Sequence, residues 1–280
     1  MLAYRHLFHA GNFADVFKHA LLVRLLVALD RKEKPYAYIE SHAGIGRYDL
    51  SHPWAQKNAE FRDGIGRLWE RTDVPELLAP YVDLVHAENP DGRLRFYPGS
   101  PVIAARFARP EDRFVLAELN EDDRTELARV LAHDRRAMVL AMDGYQALRA
   151  NLPPKERRGL VMIDSSFDRS GEFARMTDAL ADAHKRWATG VYAIWYPLMT
   201  PQAMRGFERG VVATGIRKIL QMELSVRPDD WSETLRGTGM LVVNPPFGFM
   251  NEAREILAYL APLLAQSGYG ADRMRWLVPE

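Results

Sequence analysis

Three carboxylates, two histidines and a glycine pair are spaced so that chemistry could be built on them. Leu160-Val-Met-Ile-Asp164-Ser-Ser-Phe167 reads as a short apolar strand that starts after Gly159. It delivers Asp164 at its C-terminal end, with an aromatic three residues later. Glu118 closes a strand predicted over 114–119, and Asp143-Gly144 follows one predicted over 138–142. Tyr36-Ala-Tyr-Ile-Glu40 reads as the first strand and runs straight into Ser41-His42-Ala-Gly44-Ile-Gly46. A carboxylate at a strand end can accept N–H and O–H bonds and can take a proton. Open α/β sheets bind ligands at those ends. A row of acids suits a ligand rich in hydroxyls and amines; phosphates would call for a P-loop, which the chain lacks.

Each of these signals also has a plainer reading. Gly-x-Gly after a strand lets a nucleoside approach the backbone, or it is a tight turn. The dinucleotide pattern is incomplete, because Asp49 stands three residues after Gly46. His19 falls between Val16 and Val23 in an apolar stripe, where spacing alone favours a hydrogen-bonded core histidine over a ligand-lining one. The four N-terminal histidines (His6, His9, His19 and His42) have no acids spaced with them as ligands, so no metal is expected.

The elements that must position these residues follow from patterning. The chain has 280 residues, 48% of them hydrophobic, with 37 basic against 37 acidic side chains and no cysteine. Balanced charge leaves any nucleic-acid contact to a local basic patch. The lack of cysteine excludes disulfides and thiolate chemistry and is consistent with the cytoplasm. No uncharged apolar run is long enough for a membrane span, and no signal-peptide pattern opens the chain. Asn12 is set to cap a helix over 13–30. Helical patterns over 59–71 and 74–86 follow with no strand between them, which predicts a helical insertion over 51–95. Strand and helix then alternate: strands over 114–119, 138–142, 159–163 and 191–196, and helices over 101–108, 122–133, 144–151, 172–188 and 204–210. Strands over 218–226 and 239–243 read as an antiparallel pair, before a helix over 252–264 and a tail over 273–280. The count is about seven strands in a doubly wound, mostly parallel α/β sheet. The predicted division is a main domain of residues 1–50 and 96–280, with residues 51–95 inserted as a helical subdomain.

A Gly-x-Gly loop after the first strand and an acid after the second resemble the class I methyltransferases. Asp164-Ser-Ser-Phe167 resembles the Asp-Pro-Pro-Tyr/Phe loop of amino-group methyltransferases, with serines in place of both prolines. Longer stretches are more specific: YRHLFHAGNFADVFKH (4–19), SHAGIGRYDL (41–50), YPGSP (97–101), DGYQALRANLPP (143–154), RRGLVMID (157–164) and the closing WLVPE. They span the chain and are similar to the bacterial 23S ribosomal RNA adenine-N6 methyltransferase J family. That resemblance implies a Rossmann-like sheet, S-adenosylmethionine as cofactor and 23S rRNA as substrate before full subunit assembly. It implies that His19, His42 and Ser100 line the cofactor, that Glu118 accepts its ribose hydroxyls, and that Asp143 and Gly144 hold its adenine. It makes Asp164 catalytic and cofactor-contacting, with Tyr4 and Phe167 beside the target base.

The two serines leave the loop's backbone carbonyls in place and remove stiffness. Losing a compatible proline costs about 0.4–1 kcal/mol. Two such losses would slow a reaction by up to about thirtyfold if all of the cost reached the barrier. A second string, Asn244-Pro-Pro-Phe247, matches the amino-methyltransferase motif better, but it comes after the strands that should follow a catalytic loop and reads as a structural end to the last strand pair. Two rival readings remain: a DNA adenine-N6 methyltransferase with the same loop chemistry, and a non-catalytic RNA- or cofactor-binding protein. Arg47, Lys57, Arg62, Arg67, Arg135, Arg136, Lys155, Arg157 and Arg158 are the candidate RNA contacts. Nothing in the sequence demands more than a monomer.

Overall fold

The computed structural model describes residues 5–231 and 235–280. Asn12 caps α1 (Phe13–Asp30) as its spacing predicts, its side chain accepting the backbone N–H groups of Ala14 and Asp15. β1 (Ala37–Glu40) follows, then β2 (Arg47–Asp49). Three short helices, α2 (Pro53–Asn58), α3 (Gly66–Trp69) and α4 (Ala79–Ala87), lead to β3 (Phe96–Pro98). β2 and β3 pair antiparallel as a two-stranded ribbon from which the helical segment leaves and returns. The ribbon's strands are only three residues long each, too short for an alternating pattern to mark them in the sequence.

Alternation then sets in. The elements are α5 (Ser100–Phe107), β4 (Arg113–Ala117), α6 (Glu121–Val130), β5 (Ala137–Leu140), α7 (Gly144–Asn151), β6 (Gly159–Ile163), α8 (Glu172–Arg186), β7 (Val191–Pro197) and α9 (Pro201–Ala213). β8 (Ile219–Ser225) and β9 (Gly237–Val243) form the expected antiparallel pair, followed by α10 (Phe249–Leu263) and β10 (Ala271–Val278). The main sheet has eight strands in the order β10-β8-β9-β7-β6-β1-β4-β5. β5, β4, β1, β6 and β7 are parallel, and the other three run antiparallel to their neighbours. The expected count of about seven strands is one short of the sheet, because the tail forms β10. Its charged residues Asp272, Arg273 and Arg275 hid it from the pattern. Arg273 and Arg275 pair with Glu223 and Glu208, which makes a charged stretch into an edge strand.

Side chains alternate between two cores, as a pleated strand requires. Tyr38, Leu160 and Met162 face α1, α5 and α10, while Ile39, Val161 and Ile163 face α7, α8 and α9. Fifteen of the 18 residues of α1 are buried, so this helix is covered nearly all round rather than along one stripe.

The helix expected over 59–71 is broken. A 3₁₀ turn (Glu60–Asp63) and the one-turn α3 replace it, with Gly64 between them at φ −114° and ψ −110°. There the backbone passes the N-terminal segment at contact, and Ile65 N–H donates to the Gly11 carbonyl at 2.8 Å. The helix expected over 74–86 begins only at Ala79, because a longer helix would drive the Pro80 ring into the carbonyl four residues before it. A Cβ on Gly64 would lie 2.1 Å from the Gly11 oxygen. Gly64→Ala is therefore expected to destabilise the fold by about 1–3 kcal/mol, read as a thermal midpoint several degrees lower.

Candidate active site

Strand order reverses beside β1: β4 and β5 lie on one side of it, β6 and β7 on the other. Ligands of open α/β sheets bind where such a reversal leaves a crevice at the C-terminal strand ends. A cavity of about 880 Å³ opens there. His19, His42, Ser100, Glu118, Asp143, Gly144, Asp164 and Phe167 all line it, although they come from six separate segments. Tyr4 lies outside the described residues.

The loop after β1 turns on Gly44 and Gly46 at φ +60° and +77°, values that a side chain resists. A Cβ on Gly44 would meet the Tyr48 hydroxyl at 2.6 Å. Glu118 is tied to this loop. One carboxylate oxygen accepts Gly44 N–H at 2.9 Å and the other accepts Asn120 N–H at 2.8 Å. Burial pushes its pKa up, against the pull of those N–H groups. With about four lone-pair sites on a carboxylate, two remain for a diol. Gly144 is required for a different reason: a Cβ there would lie 1.9 Å from the Ser41 carbonyl oxygen. The N-terminus of α7 is thus pressed onto the end of β1. Asp143 caps that helix through Oδ1, which accepts the N–H groups of Tyr145 and Gln146.

His19 donates to or accepts from the Tyr97 hydroxyl at 2.7 Å through Nδ1. Its buried Nε2 has no hydrogen-bond partner among the described residues. Nδ1 thus bonds as a core histidine does, while Nε2 stays available to a ligand. His42 Nδ1 meets Ser41 Oγ at 2.8 Å, and its ring packs edge-on against Tyr145. Burial lowers the pKa of both histidines, so they are neutral at pH 7. His6 pairs with Asp15 and His9 with Glu60, which gives each of the four N-terminal histidines its own partner. Among the described residues no group of three or more His, Cys, Asp or Glu side chains could hold a metal ion.

Asp164 stands at the end of β6 and takes an ammonium hydrogen from Lys18 at 2.7 Å. Lys18 also contacts Asp15 at 2.8 Å, and Asp15 accepts Gly11 N–H at 2.9 Å. Burial by itself would pull the Lys18 pKa down; Asp15 and Asp164 outweigh it and hold the amine charged. Burial would likewise push Asp15 up, and His6 and Lys18 hold it well below the usual carboxylate range. Phe167 adopts φ +55°, rare for a bulky side chain, and packs edge-on against Phe173 and Trp195.

Asn244-Pro-Pro-Phe247 is far from this cleft. β9 runs antiparallel to β7, with Val243 opposite Tyr192, so the string emerges at the other end of the sheet. Arg135, Arg136, Lys155, Arg157 and Arg158 also lie there, in the loops that enter β5 and β6. Arg136 and Arg158 are taken up by backbone carbonyls, of Ala105, Ala108 and Arg109 for the first and of Leu29, Lys32 and Lys34 for the second. Arg67 binds the Leu263 and Ala265 carbonyls, and Arg47 binds Glu88. None of the basic residues singled out by sequence lines the cavity, although Lys57 and Arg62 are chain neighbours of Asn58, Glu60 and Asp63, which do. Arg169, Arg175 and Arg227 at the cavity were not singled out.

A mixed sheet of this order, with a glycine loop after β1 and acids at the C-terminal ends of β4 and β6, defines a class I methyltransferase fold. A probable spermidine synthase from Corynebacterium glutamicum shares it, at 10% identity over 94% of this chain and 75% of the other, with a TM-score of 0.51. Residues 33–278 match the family described as ribosomal RNA large subunit methyltransferase D, RlmJ, and the chain belongs to that family. It is 44% identical over the full length of both chains to "Ribosomal RNA large subunit methyltransferase J" of Haemophilus influenzae, and 41% identical to the Escherichia coli protein of the same name, again over both full lengths. A crystal structure of a Legionella pneumophila protein is 34% identical, covering 96% of this chain and 98% of that one, with a TM-score of 0.89.

Asp15, Lys18 and Glu172 line the cavity without a motif to mark them, and Glu40 touches it only through Ser100. The available signal was a charged pair three residues apart inside an otherwise apolar helix, and an acid ending the first strand. Glu40 is fully buried and bonded by the hydroxyls of Ser100 at 2.5 Å and Tyr38 at 3.1 Å. Burial pushes its pKa up to about 8, with the nearby Asp164 charge adding to the effect. The folded chain then holds a proton that the unfolded chain releases near its ordinary 4.5. That contribution to stability is complete below pH 4.5 and is lost as pH rises through about 8. Glu40→Gln is expected to flatten the fall in melting temperature between pH 5 and pH 8.5 relative to the natural chain, as thermal melts across that range would record.

Proposed function

We propose that this chain transfers a methyl group from S-adenosylmethionine to the N6 amine of an adenine in 23S ribosomal RNA. The observation that carries the reading is Asp164, held by Lys18 at a strand end in the cleft, with an aromatic three residues on. Membership of the ribosomal RNA large subunit methyltransferase family favours RNA over DNA as substrate and catalysis over binding alone.

The residues present suit the cofactor. Buried His19 Nε2 has no hydrogen-bond partner among the described residues, the Gly44 loop leaves no room for a side chain, and Glu118 retains acceptor sites for a ribose diol. His42, Ser100, Asp143 and Gly144 complete the cofactor wall, with Asp143 and Gly144 at the adenine. When bound, S-adenosylmethionine supplies an electrophilic methyl group on a sulfonium. Asp164 accepts one N–H of the target amine, favours a pyramidal nitrogen and takes the proton. A carbonyl of the following loop accepts the second N–H. Phe167 stacks on the extruded base, a contact worth ~1–3 kcal/mol, and Tyr4 flanks it. The reaction so read uses no metal.

Further parts of this reading rest on the same chemistry. The target must be unstacked, which favours RNA that full assembly has not yet covered. Residues 51–95 act as an inserted helical subdomain that carries RNA contacts, with the main domain formed by residues 1–50 and 96–280; the ribbon at the base of the helices supports this division. The protein works as a monomer in the cytoplasm. No described helix is long and apolar enough to cross a membrane.

Labelled methyl transfer to protein-free 23S RNA tests the reading. Transfer is expected with the natural chain and lost in Asp164→Ala, and a matched DNA is expected to be a poor acceptor. Transfer that persists in Asp164→Ala would sink the assignment of the acceptor. Arg169, exposed in the loop after β6, is expected to contact phosphate. Arg169→Ala should weaken RNA binding and lower the slope of log K against log salt by about 1, with cofactor affinity unchanged.

A further inference from the structure

The loop after β6 carries two serines with different surroundings. Ser166 is part-exposed, and its hydroxyl donates to Asp168 two residues on. Ser165 is 5% exposed, and its hydroxyl donates to Glu172 Oε1 at 2.7 Å. Glu172 opens α8 and is itself 4% exposed. Its Oε1 also accepts the Tyr145 hydroxyl at 2.5 Å, and its Oε2 accepts Arg175 Nη1 at 3.0 Å. Arg175 lies over the Tyr145 ring and reaches Asp143 Oδ2 at 3.5 Å with its other nitrogen.

We propose that Ser165 and Glu172 are positioning residues: the bond between them fixes the Asp164 loop and couples it, through Tyr145 and Arg175, to Asp143 at the start of α7. This rests on the reading of Asp164 as the acceptor of the target amine.

The physical case has three parts. Asp164 must hold its oxygen against a nitrogen to a few tenths of an ångström, and misplacement alone is costly in rate. The segment between Asp164 and Phe167 contains no proline, so it needs another source of stiffness. A buried hydroxyl on a buried, multiply bonded carboxyl supplies it, because breaking that bond would leave polar atoms unpaired where water is excluded. The stiffness expected to be missing from a Ser-Ser loop is thus restored by a side chain seven residues downstream. The same carboxyl holds Tyr145, whose ring abuts His42, so the two sides of the cleft share one anchor.

The test is single-turnover methyl transfer to protein-free 23S RNA, with S-adenosylmethionine affinity measured by calorimetry on the same samples. Ser165→Ala is expected to slow the step about tenfold, which corresponds to about 1.4 kcal/mol, while cofactor affinity stays within about twofold. Ser165→Pro is expected to stay within about threefold of the natural rate, because the ring restores stiffness without the bond. Glu172→Gln, which keeps an acceptor oxygen for Ser165 and Tyr145 but loses the one for Arg175, is expected to be slowed less than Glu172→Ala. A natural rate in Ser165→Ala, with Asp164→Ala inert, would overturn the positioning role and leave the proposed function standing. Slow transfer in both Ser165→Ala and Ser165→Pro would overturn it too, since the hydroxyl would then serve something other than stiffness. No transfer by the natural chain would remove the proposed function and this inference together.

Discussion

The buried contact between Lys18 and Asp164 is the constraint on which the cleft depends. It joins the first helix to the end of the central strand β6 across 146 residues of chain. Two carboxylates and one ammonium meet there with little access to water, and His6 Nε2 lies 3.0 Å from Asp15. Removing one member of such a buried set typically costs about 3–5 kcal/mol, because the remaining charges stay desolvated without a partner. The pair therefore fixes where α1 sits against the sheet, and with it His19, which lines the cavity one residue further on.

Sheet topology determines which groups can act together. Parallel strands send their C-terminal ends to one side, so Glu118, Asp143 and Asp164 converge although sequence separates them by 25 and 21 residues. The antiparallel β9 sends its end the other way, and Asn244-Pro-Pro-Phe247 goes with it. A string that matches a catalytic loop well is thereby kept out of the cleft by strand direction alone. The arginines that enter β5 and β6 lie at that same end of the sheet, where Arg136 and Arg158 bind backbone carbonyls.

The cleft combines stiff and yielding parts. Gly44 and Gly144 sit where backbone meets backbone or ring at distances no side chain would permit, which leaves little freedom in the walls around Ser41. The Asp164 loop has no such crowding. It is held through side chains: Lys18 on the acid, Glu172 on Ser165, and Phe173 and Trp195 around the strained Phe167.

Much of the fold is local in origin and was legible for that reason. Asn12 caps its own helix, β6 and α7 begin and end where pattern and turn residues place them, and the acids stand at strand ends because apolar runs stop there. The family resemblance rested on the same local strings, and all eight of the described site residues it named line one cavity. The sequence could not reveal the partners of buried charge. Lys18 reads as a polar interruption in a helix, and only burial of α1 on nearly every side obliges it to find Asp15 and Asp164. Glu172 reads as a first-turn acid, and only the packing of α8 beneath the loop brings it to Ser165. The strand at the chain's end was hidden because its arginines resemble a solvated tail until Glu208 and Glu223 lie opposite. Propensity, caps and turns act over a few residues, so the sequence determines them directly. Which buried groups must pair depends on which strand ends and helix faces are brought together and dried, and that is decided only when the sheet closes.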